Sequence, residues 1–135
     1  MIDTKKIEIK DGKNTLKFEI RKMDAVTGER WFLKAISLVG KGLKIDVGAI
    51  AEANLSVNDL VMALCNVPFD EAMVLLNELL KCAYRIIDGK NSEQVDIDLC
   101  TGYISSPMTL LKLRMEIAKF NFSFFSEING LVTQE

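Results

Sequence analysis

The chain of 135 residues contains no histidine. Imidazole is the usual proton carrier near neutral pH, so Ser-His and Cys-His catalysis and histidine metal sites drop out together. Cysteine is sparse: Cys65, Cys82 and Cys100 are odd in number, with no C-x-x-C pair. That pattern fits neither a disulfide framework nor a zinc ribbon. Reduced, mostly buried thiols are expected, with Cys100 as the exposed one. No apolar run reaches the ~18 residues that a membrane helix needs. The first residues, Met1 to Lys6, lack the apolar centre of a secretory signal. Net charge is also small. Lys plus Arg number 17 and Asp plus Glu 19, a balance of −2 that disfavours a general nucleic-acid binder, which needs a basic field. Walker A, G-x-G-x-x-G and G-x-S-x-G motifs are missing, so no phosphate cradle or nucleophile elbow is visible.

What remains is 49% hydrophobic, enough for a core in a single domain spanning 1–135. Residues 5–21 alternate. Ile7 and Ile9 interleave with Glu8 and Lys10, then Leu16, Phe18 and Ile20 with Lys17, Glu19 and Arg21. Asp11-Gly12-Lys13-Asn14 lies between, with Gly to supply positive φ. This is a β-hairpin with one apolar face.

The period then lengthens to that of helices. Trp31, Phe32, Ala35, Ile36 and Val39 form one stripe, with Thr27 as N-cap and Gly40 and Gly42 as terminators. A weaker helix is expected over 46–53, and Ser56 opens another carrying Val57, Leu60, Val61 and Leu64. After Pro68 the most regular stripe (Phe69, Ala72, Met73, Leu76, Leu79, Leu80, Ala83) predicts a helix from Phe69 to Tyr84. Asp88-Gly89-Lys90-Asn91 repeats the first turn tetrapeptide letter for letter, and a small second hairpin is expected near 84–98.

The last helix, expected over Pro107 to Phe125, carries two apolar stripes. Leu110, Leu113, Ile117, Phe120 and Phe124 make one, and Leu111, Met115, Ala118, Phe122 and Phe125 the other. A thin polar line of Arg114 and Asn121 separates them. Two stripes suit a deeply buried helix, or one serving a core and a partner together. Residues 126–135 are expected to fray. Asp96 and Asp98 form a weak D-x-D cation pair without further ligands at loop spacing, and Tyr84 and Tyr103 lack a catalytic companion. No catalytic residue, cofactor or metal site is expected.

The segment Arg21 to Trp31 resembles the R-x-M-x-A-x-x-x-E-x-W stretch that follows the hairpin in a family of tail assembly chaperones of tailed phages and prophages. Leu75-Leu76-Asn77-Glu78-Leu79-Leu80 is similar to that family's central L-L-x-E-L-L. Leu110 to Phe122 is similar to its closing L-x-x-L-R-x-E helix. Gly28 and the long 88–105 segment depart from the pattern.

The resemblance implies a protein of the host cell cytoplasm that binds the tape measure protein, a very long apolar helical chain, and keeps it soluble. It implies help in recruiting the tail tube protein and action in several copies, while the charge balance and the lack of a long apolar run lead to the expectation of no nucleic-acid or membrane partner. The fold expected is α+β: a mainly α-helical domain, with an N-terminal β-hairpin packed on a bundle of four to five helices over 27–125. The second stripe of the last helix, with Trp31 beside it, is the expected partner or self-association surface: Trp31, Leu111, Met115, Ala118, Phe122 and Phe125. On that expectation, serine at Phe122 and Phe125 weakens binding and spares the fold. Two other readings stay open. One is a tail or head-tail joining protein retained in the virion. The other is a small metal- or thiol-dependent enzyme or regulator using Asp96, Asp98 and Cys100.

Overall fold

The alternating segment becomes a hairpin in the computed structural model, which describes residues 3–43, 57–64 and 67–122. Strand β1 (Thr4–Asp11) pairs antiparallel with β2 (Asn14–Arg21), setting Ile7 opposite Phe18 and Ile9 opposite Leu16. Ile9, Phe18 and Ile20 are buried on one face, while Lys6, Glu8 and Lys17 on the other are exposed. The two-residue turn needs positive φ at its first position, and Gly12 takes φ 66° there.

A second hairpin extends this one into a sheet. Strand β3 (Ala83–Ile86) lies beside β2 with Ala83 opposite Ile20, and β4 (Ser92–Gln94) completes the antiparallel order β1-β2-β3-β4. With four described helices the architecture is α+β.

The two identical tetrapeptides do different things. Asp88 closes its own turn, its Oδ1 accepting the backbone N–H of Lys90 and of Asn91, each at 2.9 Å. Asp11 reaches across the molecule instead. Its Oδ2 accepts the Ser105 N–H at 2.9 Å and the Ser105 hydroxyl at 3.0 Å. Its Oδ1 accepts the Ser106 N–H and the Thr109 hydroxyl, each at 2.8 Å. This buried carboxylate sits at the N-terminus of the last described helix (Pro107–Phe122), where a negative charge suits the helix dipole. The Ser105 N–H, then the Thr109 hydroxyl and the Ser106 N–H, hold its pKa below the ordinary value against the opposing effect of burial.

Helix α1 (Ala25–Leu43) starts two residues before the expected Thr27. Asp24 is the capping residue. Its Oδ1 accepts the Thr27 N–H and its Oδ2 the Thr27 hydroxyl, both at 2.8 Å. The helix also runs through Gly40 and Gly42, where it was expected to stop. A helical glycine costs only about 1 kcal/mol, and buried Trp31, Phe32, Ala35, Ile36 and Val39 outweigh that.

Helices α2 (Val57–Leu64), α3 (Phe69–Leu80) and α4 (Pro107–Phe122) follow. The expected continuation of α3 to Tyr84 does not occur. Lys81 and Cys82 close the last turn with N–H bonds to Glu78 O and Leu79 O, and Ala83 onward joins β2 as a strand. Pairing with a ready strand overrides helix propensity there. Phe69, expected in the core stripe, is the first residue of α3 and 73% exposed.

Helix α4 is the central element. It packs on β1 and β2 and also meets α1, α2 and α3, and the described residues of both apolar stripes are buried or half-buried. The expected helix over 46–53, the cap Ser56, Cys65, Phe124, Phe125 and the tail 126–135 lie outside the described residues.

Candidate functional site

The six residues expected to form a partner surface do not lie together on the surface. Trp31 and Phe122 stack inside the core, ring centroids 4.8 Å apart and planes 13° from parallel. Phe32 tilts against Phe122 at 5.9 Å. The Trp31 Nε1–H donates to Leu75 O at 2.9 Å, so the indole's polar atom is satisfied away from water. Ala118 is fully buried, Leu111 and Met115 are half-buried, and Phe125 is outside the described residues. Trp31, Ala118 and Phe122 are thus core. The reason is the central seat of α4, which turns Ala118 and Phe122 toward other parts of this chain.

The polar line between the stripes is a pair of latches. Arg114 is 9% exposed, and its guanidinium donates to Leu76 O at 3.2 Å and Asn77 Oδ1 at 2.9 Å, tying α4 to α3. Asn121 Oδ1 accepts the Met23 N–H at 2.7 Å, and its Nδ2 donates to Arg21 O at 3.3 Å. That ties the end of α4 to the strand–helix junction.

The candidate chemical groups are structural as well. Cys100, expected to be exposed, is buried, and its Sγ–H donates to Ile97 O at 3.4 Å. Burial pushes its pKa up, and pushes that of half-buried Cys82 up to about 11. Neither is a thiolate nucleophile near neutral pH. Asp96 Oδ1 accepts the Asp98 N–H at 2.8 Å, and Asp96 O accepts from Leu99 and Cys100, so the D-x-D pair organises a turn. Among the described residues no cluster of three or more His, Cys, Asp or Glu could hold a metal. The tyrosine rings carry cations: Arg21 lies 3.7 Å from the centre of Tyr84, and Arg85 4.1 Å from that of Tyr103.

The open apolar feature is a groove between α1 and α3. Leu33, Leu38, Val74 and Leu75 form its apolar lining, and it holds about 540 Å³. Leu33 is 56% exposed and Val74 60%, although both are aliphatic. Lys34 and Lys41 border it on α1, and Glu71 and Glu78 on α3. The two helices run antiparallel. Thr27, Arg30 and Lys34 stand beside Glu78, Lys81 and Cys82, and both helices meet the sheet where Ile20 pairs with Ala83.

Helical periodicity marks the core stripes and leaves the residues lining this groove unmarked. The groove's signal is small: Leu33 and Val74 are aliphatic residues out of phase with their helices' stripes. No described helix is long and apolar enough to cross a membrane. Comparisons with protein-family models, with curated proteins and with solved structures find no match for this chain.

Proposed function

We propose that this protein is a tail assembly chaperone of a tailed phage or prophage. It holds helical, apolar stretches of the tape measure protein in the host cytoplasm until the tail tube protein is recruited. Several copies serve one tape measure chain, and no chemical step is involved. In this reading the helices act as a bundle on which the sheet packs, presenting the α1/α3 groove outward.

The observation that carries the reading is that groove. Leu33 and Val74 stay open to water beside Leu38 and Leu75, in the form that accepts the apolar face of a helix. The ordered resemblance of Arg21–Trp31, Leu75–Leu80 and Leu110–Phe122 supports the same family.

Co-expression with the tape measure protein, followed by size-exclusion chromatography with light scattering, tests the proposal. A soluble complex with several copies of this chain per tape measure is expected. The double variant Leu33→Gln/Val74→Gln should lose co-elution while melting within a few degrees of the parent. An insoluble tape measure beside a free, monodisperse chain would overturn the reading and favour a protein retained in the virion.

A further inference from the structure

The borders of the α1/α3 groove carry opposite charge in a regular order. Lys34 and Lys41 stand seven residues apart on α1, and Glu71 and Glu78 seven apart on α3. Seven residues are two helical turns, about 10.5 Å at 1.5 Å per residue. Because the helices are antiparallel, Lys34 faces the Glu78 end and Lys41 the Glu71 end. Arg30 continues the basic edge by another turn, and Lys81 marks the end of the acidic one. None of Lys34, Lys41, Glu71 and Glu78 makes an ion pair with another described residue. The groove thus mixes apolar side chains with basic ones on its α1 wall and with acidic ones on its α3 wall, and no ion pair among the described residues joins the two walls.

We infer that the groove takes an amphipathic helix with acidic residues along one flank and basic residues along the other, and that the walls fix the direction in which that helix lies. The inference rests on the reading above that the groove receives a helical chain. A helix seated on Leu33, Leu38, Val74 and Leu75 turns one flank to α1 and the other to α3. Its acidic flank meets Lys34 and Lys41, and its basic flank meets Glu71 and Glu78. Turning the same helix end for end exchanges its flanks and sets like charges against each other. An apolar stripe by itself is nearly indifferent to direction, so the charges decide it, as flanking charges do in coiled coils. The groove therefore reads the polarity of its partner along with its hydrophobicity. A long helical chain held this way would carry every copy in one orientation.

Four synthetic helical peptides of equal length, with Leu at heptad positions a and d, test this. One carries Glu along one flank and Lys along the other. Its twin has the flanks exchanged, and two controls carry Glu on both flanks or Lys on both. Each bears a nitroxide at its N-terminus and is used below its own self-association. The two mixed peptides should bind with similar affinity, and both controls about tenfold more weakly. The nitroxide should broaden amide signals near Lys34 with one mixed peptide and near Lys41 with its twin. The variant Lys34→Glu/Lys41→Glu/Glu71→Lys/Glu78→Lys, whose fold is checked by circular dichroism, should exchange those two patterns.

Controls that bind as tightly as the mixed peptides, or a nitroxide pattern indifferent to the swap, would overturn the inference. So would no peptide binding together with a dimer that dissociates on Leu33→Gln, because the groove would then belong to a second copy. The chaperone reading is separable. Tape measure co-elution without polarity reading leaves the chaperone and removes the inference. Polarity reading beside an insoluble tape measure does the reverse.

Discussion

Trp31 and Phe122 lie 91 positions apart in the sequence and stack with ring centroids 4.8 Å apart, joining α1 to the end of α4. The contact turns an apparent surface into a keystone. Phe122→Ala should cost about 3–5 kcal/mol in urea unfolding, the usual price of emptying a buried aromatic site. A loss below about 1 kcal/mol would return Phe122 to the surface. The same variant should leave no separable binding defect, because its effect runs through the fold.

Arg114 is expected to matter through its hydrogen bonds. Arg114→Ala leaves Leu76 O and Asn77 Oδ1 without the guanidinium and should lower stability by about 1.5–3 kcal/mol. Arg114→Lys should recover only part of this, since an ammonium lacks the planar fork. Full recovery by lysine, measured in the same urea titrations, would show that charge alone suffices there.

Asp11 should shape the acid limb of stability. Its pKa is lowered in the fold, so its contribution is present in full above the ordinary carboxyl value of about 4 and is lost as pH falls through the folded value. Asp11→Asn should destabilise the protein at neutral pH, and the gap to the parent should close as pH drops below about 4. Urea melts from neutral to acid pH measure that gap. A gap independent of pH would mean that Asp11 acts by shape and not as a carboxylate.

The described cysteines should be inert in the native state. In a Cys65→Ser background, Cys82 and Cys100 should each react with a disulfide reagent near neutral pH more slowly than a free thiol. They should become ordinary on denaturation. Fast native labelling would show that one of them is open to solvent.

How much of this was legible in the sequence depends on the distance over which each feature is determined. The first hairpin is local: alternation and a Gly-containing turn sufficed. The start of α1 is ambiguous in the sequence because Asp24 and Thr27 are both able caps, and only their mutual hydrogen bonds show which one leads. The end of α3 is hidden in the sequence because Ala83 continues its apolar stripe in phase, and only the partner strand β2 breaks it. Periodicity placed Trp31, Ala118 and Phe122 on faces of their helices. It could not say that other parts of the same chain cover those faces. The groove lay in the remainder, at Leu33 and Val74, where a pattern built on core stripes has nothing to say.

The bond between Asp11 and the Ser105–Thr109 segment has a consequence for the timing of folding. It clasps the first described strand to the last described helix, and Asn121 fastens that helix to the Arg21–Met23 junction. Contacts of such sequence separation form slowly. On the ribosome, Phe18, Ile20 and Trp31 are made long before residues 107–122 arrive to cover them. The nascent chain therefore carries these apolar side chains uncovered through most of its synthesis, and the core closes only when α4 emerges.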